Sequence, residues 1–146
     1  MSAPSATPGP LSIIAYIDGG ARGNPGPAGY GVRVENERGE LIEEFCGFLG
    51  TATNNIAEYN GLLAALRYAK EHGHRIVRIK SDSELIVKQM LGQYKVKNPG
   101  LQMLHREAQT LARALERVAY EIIRREQNKD ADRLANQAMD QGLGKS

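Results

Sequence analysis

Residues 11–17, LSIIAYI, are apolar and β-branched, the pattern of a buried strand. From Gly19 to Gly31 the chain then carries six Gly and two Pro, a density that predicts no regular element before residue 30. Alternation returns over 30–35, where Tyr30, Val32 and Val34 oppose Gly31, Arg33 and Glu35, and predicts a half-buried strand. A turn at 36–39 leads into a third strand over 40–49, so the first three strands read as an antiparallel meander.

The period then changes. Leu62, Leu63, Leu66 and Ala69 recur at helical spacing within 54–71, and Gly73 stops that helix. A short strand at 76–79 and a helix over 82–91, ended by Gly92, come next. After a loop over 93–100, Leu101, Leu104, Ala108, Leu111 and Leu115 mark a longer amphipathic helix. A strand over 118–123 and a helix over 130–139 complete the order βββαβααβα. That order predicts an α/β fold with a five-stranded mixed sheet. Strands 1–3 form the meander, strands 1, 4 and 5 run parallel, and crossover helices cover both faces.

Composition narrows the class. The chain has 146 residues and 16.0 kDa, enough for one domain, with 41% hydrophobic and 25% charged residues, an ordinary globular mix. No apolar run approaches the roughly 18 residues of a membrane span. A lone cysteine, Cys46, excludes an internal disulfide, and three scattered histidines offer no zinc-like spacing. The uncharged segment 1–10, MSAPSATPGP, reads as a flexible leader and not a secretory signal. With 141–146 as a flexible tail, a single domain over 11–140 and a cytoplasmic, monomeric protein are expected. Charge is uneven. Residues 1–60 carry three basic and seven acidic side chains, net −4, and residues 61–146 net +6. An acidic half joined to a basic half suggests an anionic partner, such as nucleic acid, beside a carboxylate-rich spot.

Four acids stand where such a sheet gathers ligands, beyond the carboxyl ends of its parallel strands. Asp18 closes the first strand and Asp82 follows the fourth. Glu58 falls in the first turn of the first helix, and Asp132 in the first turn of the last. Each also has a purely structural reading. Asn55 and Glu58 have capping-box spacing, Asp82 or Ser83 suits a helix cap, Asp132 suits a helix dipole, and Asp18 suits a turn. Together they form a set of hard oxygen ligands suited to divalent ions. Asn24, Thr53, Asn54 and Asn55 add polar groups in the two nearest loops, where turn and cap roles are equally compatible. The glycine-rich segment lacks the spacing of either common phosphate loop.

The blocks YIDGGARGNPGPAGYG (16–31), TNNIAEYNGLLAAL (53–66), SDSELIVKQM (81–90) and REQNKDADRLANQAM (125–139) resemble the type 1 ribonuclease H family, in the family's order. The likeness is greatest to compact bacterial and archaeal members. It implies an endoribonuclease that cleaves the RNA strand of RNA–DNA hybrids with two Mg²⁺ or Mn²⁺ ions, leaving a 5′-phosphate and a 3′-hydroxyl. Asp18, Glu58, Asp82 and Asp132 then match the catalytic acids. Asp18 would bridge the ions, Asp82 and Asp132 would complete the shell of one, and Glu58 would ligate the other and orient a ribose 2′-OH. Asn24, Asn54 and Asn55 resemble residues that sense the minor groove, and Thr53 one that holds a DNA phosphate.

Three departures qualify the likeness. No basic, Trp-bearing protrusion follows the third acid's helix, which leaves Lys88, Lys95, Lys97 and Arg106 as candidates to bind the hybrid. No His follows His105, so Arg125, seven residues before Asp132, is the candidate replacement for a mobile histidine of the family. Glu84 stands where several members have Gln and receives no role. Two rival readings share the same surface: a hybrid-binding module without turnover, and a relative that also cuts duplex RNA. All four acids being present argues against the first, because clustered negative charge would weaken a pure phosphate binder.

Overall fold

Five strands form one sheet in the order β3-β2-β1-β4-β5. The computed structural model describes residues 9–144. Its elements are β1 (Ser12–Ala21), β2 (Gly26–Glu35), β3 (Leu41–Ala52), α1 (Asn54–Glu71), β4 (Ile76–Ser81), α2 (Glu84–Met90), α3 (Pro99–Arg113), β5 (Arg117–Ile122), a 3₁₀ turn (Arg125–Gln127) and α4 (Lys129–Gly142). β1, β2 and β3 pair antiparallel, while β1, β4 and β5 run parallel, as the chain order predicts. Among the described residues no helix is long and apolar enough to cross a membrane.

The glycine-rich stretch departs from expectation. β1 continues through Ala21 and β2 begins at Gly26, leaving only 22–25 as a turn. Asp18 pairs with Gly31, and Gly19 with Tyr30. These glycines serve close approach. A Cβ on Gly19 would lie 2.3 Å from the Ala57 carbonyl carbon, and one on Gly31 would lie 2.4 Å from the Ala131 oxygen. Bare Cα positions therefore let α1 settle on one face of the sheet and α4 on the other.

Ile13, Ala15 and Ile17 of β1, Val77 and Ile79 of β4, and Leu62, Leu63 and Leu66 of α1 make a single core with almost no exposure. Leu101 and Ala108 add α3 to it. Across the sheet, α4 lays Ala131, Leu134, Ala135, Ala138 and Met139 over β2 and β3. Burial of these apolar faces is the main drive that holds the layers together.

Helix starts correct further expectations. Thr53 Oγ1 accepts from Ile56 N at 3.2 Å and caps α1. Glu58 consequently sits beyond the first turn, and no capping box forms with Asn55. Ser83, not Asp82, caps α2, its Oγ accepting from Ile86 N at 3.3 Å. Asp82 is thus left free of any capping duty. Asn98 caps α3 two residues earlier than expected, so the preceding loop is 91–98. α4 extends past residue 140 to Gly142. Of the expected leader, residues 1–8 lie outside the described residues, as do 145 and 146 of the tail. Pro10 is held: its carbonyl lies 2.6 Å from His74 Nδ1, which donates in the Nδ1–H tautomer.

Candidate active site

The parallel pairing of β1 with β4 sets Ile17 opposite Ser81, so the next residues stand side by side: Asp18, which lies within β1 and does not close it as expected, and Asp82, just past the end of β4. Glu58 reaches the same point from α1, which the missing side chain of Gly19 admits. One carboxylate oxygen from each of Asp18, Glu58 and Asp82 lies within 4.8 Å of the others. Asp132, in the first turn of α4, lines the same pocket, a cavity of about 360 Å³ whose walls include Asn54, Arg125 and Asn136. The four acids singled out from the sequence, and Arg125, therefore meet at one place.

The electrostatics of this pocket are unfavourable without a cation. Burial, together with the charges of Asp82 and Asp132, pushes the Asp18 carboxyl from 3.8 up to about 7. Burial and the charges of Asp18 and Asp82 likewise hold Glu58 well above the usual carboxylate range, opposed in part by Arg125. Glu58 Oε1 is buried with no hydrogen-bond partner. A buried acceptor without a donor is costly, and a hard divalent ion would satisfy it and the crowded charge together. The donor set, carboxylate oxygens from three elements with a fourth alongside, fits such an ion.

The surrounding polar residues divide. Asn54 Oδ1 accepts from Ala21 N at 2.8 Å, and Asn54 N donates to Asn24 Oδ1 at 3.0 Å. This reciprocal latch fixes the 22–25 turn against the start of α1, with Asn55 next to it. Thr53 spends its hydroxyl on the helix cap. Lys88 pairs with Glu84 at 2.7 Å and lies over the Tyr94 ring. Lys95 and Lys97 are exposed on loop 91–98, and none of these three lysines lines the carboxylate pocket.

Asn128 was not apparent from the sequence. It is 1% exposed, its Nδ2 donates to Ile17 O at 2.9 Å, and its own carbonyl accepts from Asp132 N at 3.1 Å. One residue thus ties the strand segment before Asp18 to the helical turn that carries Asp132. An Asn four positions ahead of an acid at a helix start was the available signal. Arg22 adds a second tie, donating to Asp140 Oδ1 at 2.7 Å and to Asn136 Oδ1 at 3.2 Å, which anchors α4 beside the latch.

Comparison with known proteins agrees with this geometry. The family described as Reverse transcriptase-like matches residues 16–138. The Bifunctional protein Rv2228c of Mycobacterium tuberculosis is 46% identical over 131 residues, which are 89% of this chain and 36% of that protein. The chain thus spans about a third of the length of that curated relative. The solved N-terminal RNase H domain of the same protein superimposes with a TM-score of 0.87 at 45% identity, covering 91% of this chain and 96% of that one. RNase H1 of Halobacterium salinarum gives 0.87 at 36% identity, over 89% and 98%. LC11-RNase H1, solved in complex with an RNA/DNA hybrid, gives 0.86 at 42%, over 90% and 99%.

Proposed function

Because this chain belongs to the type 1 ribonuclease H family, we propose that it hydrolyses the RNA strand of RNA–DNA hybrids, leaving 5′-phosphate and 3′-hydroxyl ends. The observation that carries the reading is the meeting of Asp18, Glu58 and Asp82 oxygens within 4.8 Å, with Glu58 Oε1 left without a partner. Two Mg²⁺ or Mn²⁺ ions, when bound, would supply a nucleophilic water at neutral pH and neutralise charge on the scissile phosphate.

The chain's own residues do the rest. Asp18, Glu58, Asp82 and Asp132 would hold these ions, Asp18 as the ligand common to both, Asp82 and Asp132 with one and Glu58 with the other. Glu58 also orients the ribose 2′-OH next to the cut. The latched Asn24 and Asn54, with Asn55, read the minor groove, where that hydroxyl distinguishes RNA from DNA. Thr53 holds a phosphate of the DNA strand through the end of α1. Arg125, the cation of the pocket, steadies charge on the departing phosphate. Lys88, Lys95 and Lys97 bind phosphates farther along, beyond the carboxylate pocket, and act without base selectivity. The site draws on one chain only, and we propose a monomer.

The test is cleavage by the purified protein, with Mg²⁺ or Mn²⁺, of matched hybrid, duplex RNA and duplex DNA. Hybrid should be cut in its RNA strand. Replacing ribonucleotides around the cut by 2′-deoxy units should block cleavage. Cutting of duplex RNA as well would widen the substrate class, and equal cutting of duplex DNA would overturn the assignment.

A further inference from the structure

Directly after Glu58 on α1 comes Tyr59, fully buried, whose hydroxyl donates to Gln89 Oε1 at 2.6 Å. Gln89, at the end of α2, is 5% exposed. Its Nε2 donates to Lys95 O at 3.4 Å, and its carbonyl lies 3.2 Å from His105 Nε2, whose ring meets Tyr59 edge-on. From α3, Gln102 Nε2 donates to Val96 O at 2.9 Å. Loop 91–98 is therefore held by its carbonyls from beneath, while the Lys95 and Lys97 side chains are exposed. The loop has no regular structure of its own, so these side-chain ties from α2 and α3 hold its backbone in place.

We infer that Tyr59 and Gln89 are positioning residues that couple the helix carrying Glu58 to loop 91–98, setting where Lys95 and Lys97 meet the phosphates of a nucleic-acid strand. The inference rests on the proposed function for the identity of that strand, whereas the tie itself is independent of it. A buried glutamine suits the task because it accepts from Tyr59 with one end and donates to the loop with the other. Its two ends transmit the height of α1 to the loop backbone.

The test uses the intact chain with Tyr59→Phe and, separately, Gln89→Leu, which keep most of the buried volume and remove the polar groups. In hydrogen–deuterium exchange the amides of Gly92, Gln93 and Tyr94, bonded to the carbonyls of Gln89 and Lys88, should exchange about threefold or more faster in both variants, a size in keeping with one lost buried hydrogen bond. On hybrid, KM should rise about threefold with kcat held. That rise should vanish when the same substitutions are made in a chain whose Lys95 and Lys97 are both Ala. Unchanged exchange in both variants overturns the inference. So does a KM rise that persists without the lysines, or a loss confined to kcat, because either shows a merely structural role. A parent chain that leaves hybrid uncut defeats the proposed function instead, and the exchange measurement still decides whether the tie exists.

Discussion

The carboxylate pocket and loop 91–98 are built on opposite plans. Asp18 lies within β1, Glu58 and Asp132 within helices and Asp82 one residue past β4, on or beside backbone committed to sheet or helix bonding, and the two innermost are 9% exposed. The loop has no regular structure, and its lysines are exposed. Chemistry on one phosphodiester needs atoms fixed to within a fraction of an ångström, which only rigid elements provide. Gripping a polyanion needs charge, which acts over about 8–10 Å at ordinary salt and tolerates loose placement. On the proposed function, a compact chain can therefore carry phosphate contacts on a loop of eight residues while its chemical centre rests on regular elements.

The sharpest way to break this contrast is to remove an acid. Asp18→Asn and Asp82→Asn should each reduce kcat by at least about 10³-fold while circular dichroism stays native, a loss of the size seen when transition-state charge is left unsupported. Near-normal cleavage by Asp18→Asn would dismiss the proposed site. Gly31→Ala comes next. The new methyl meets the Ala131 carbonyl and must displace α4, so thermal unfolding should report a loss of about 1–3 kcal/mol, with activity lost alongside because Asp132 moves too. An unchanged melting temperature would mean the helix yields without cost.

The pocket and the loop can then be separated kinetically. Arg125→Ala should lower kcat mainly, whereas Lys95→Ala with Lys97→Ala should raise KM and reduce the salt slope by roughly 1.5–2. An Arg125→Ala effect confined to KM would move that residue to the loop's side of the comparison. The smallest effect is one of pH. With Asp18 raised from 3.8 to about 7, the folded chain keeps a proton there that the unfolded chain releases. Metal-free stability should thus fall as pH climbs through that window. Asp18→Asn should flatten the fall in melting temperature, and added Mg²⁺ should offset it by binding the folded state.

Much of this was legible in the sequence. Strand and helix order follow from the change of hydrophobic period after residue 53, and the acids stood out because parallel strands converge their ends. What the pattern hid was backbone proximity. Gly19 looks like a turn former in a string of glycines, yet it is a strand residue, and at both it and Gly31 the missing side chain makes room for a helix that lies far away in sequence. Cap assignments stayed open for a similar reason. Asp82 and Ser83 are equally good caps on paper, and only the β1–β4 register, which commits Asp82 to its neighbour Asp18, decides between them. Asn128 escaped notice because its partner, the Ile17 carbonyl, is 111 residues away, and periodicity is blind to such distances.

That last bond has a consequence for synthesis. Asp18, Glu58 and Asp82 all precede α2 in the chain, whereas Asn128 and the helix it starts follow β5 and are made later. Until α4 docks, the bare Gly31 surface of the meander is uncovered and the Ile17 carbonyl lacks its buried partner. A chain translated only as far as α2 accordingly carries three of the four acids without the element that closes their pocket. On the proposed function cleavage should therefore require α4, and a product truncated before Asn128 should keep the exposed lysines of loop 91–98 without cutting hybrid.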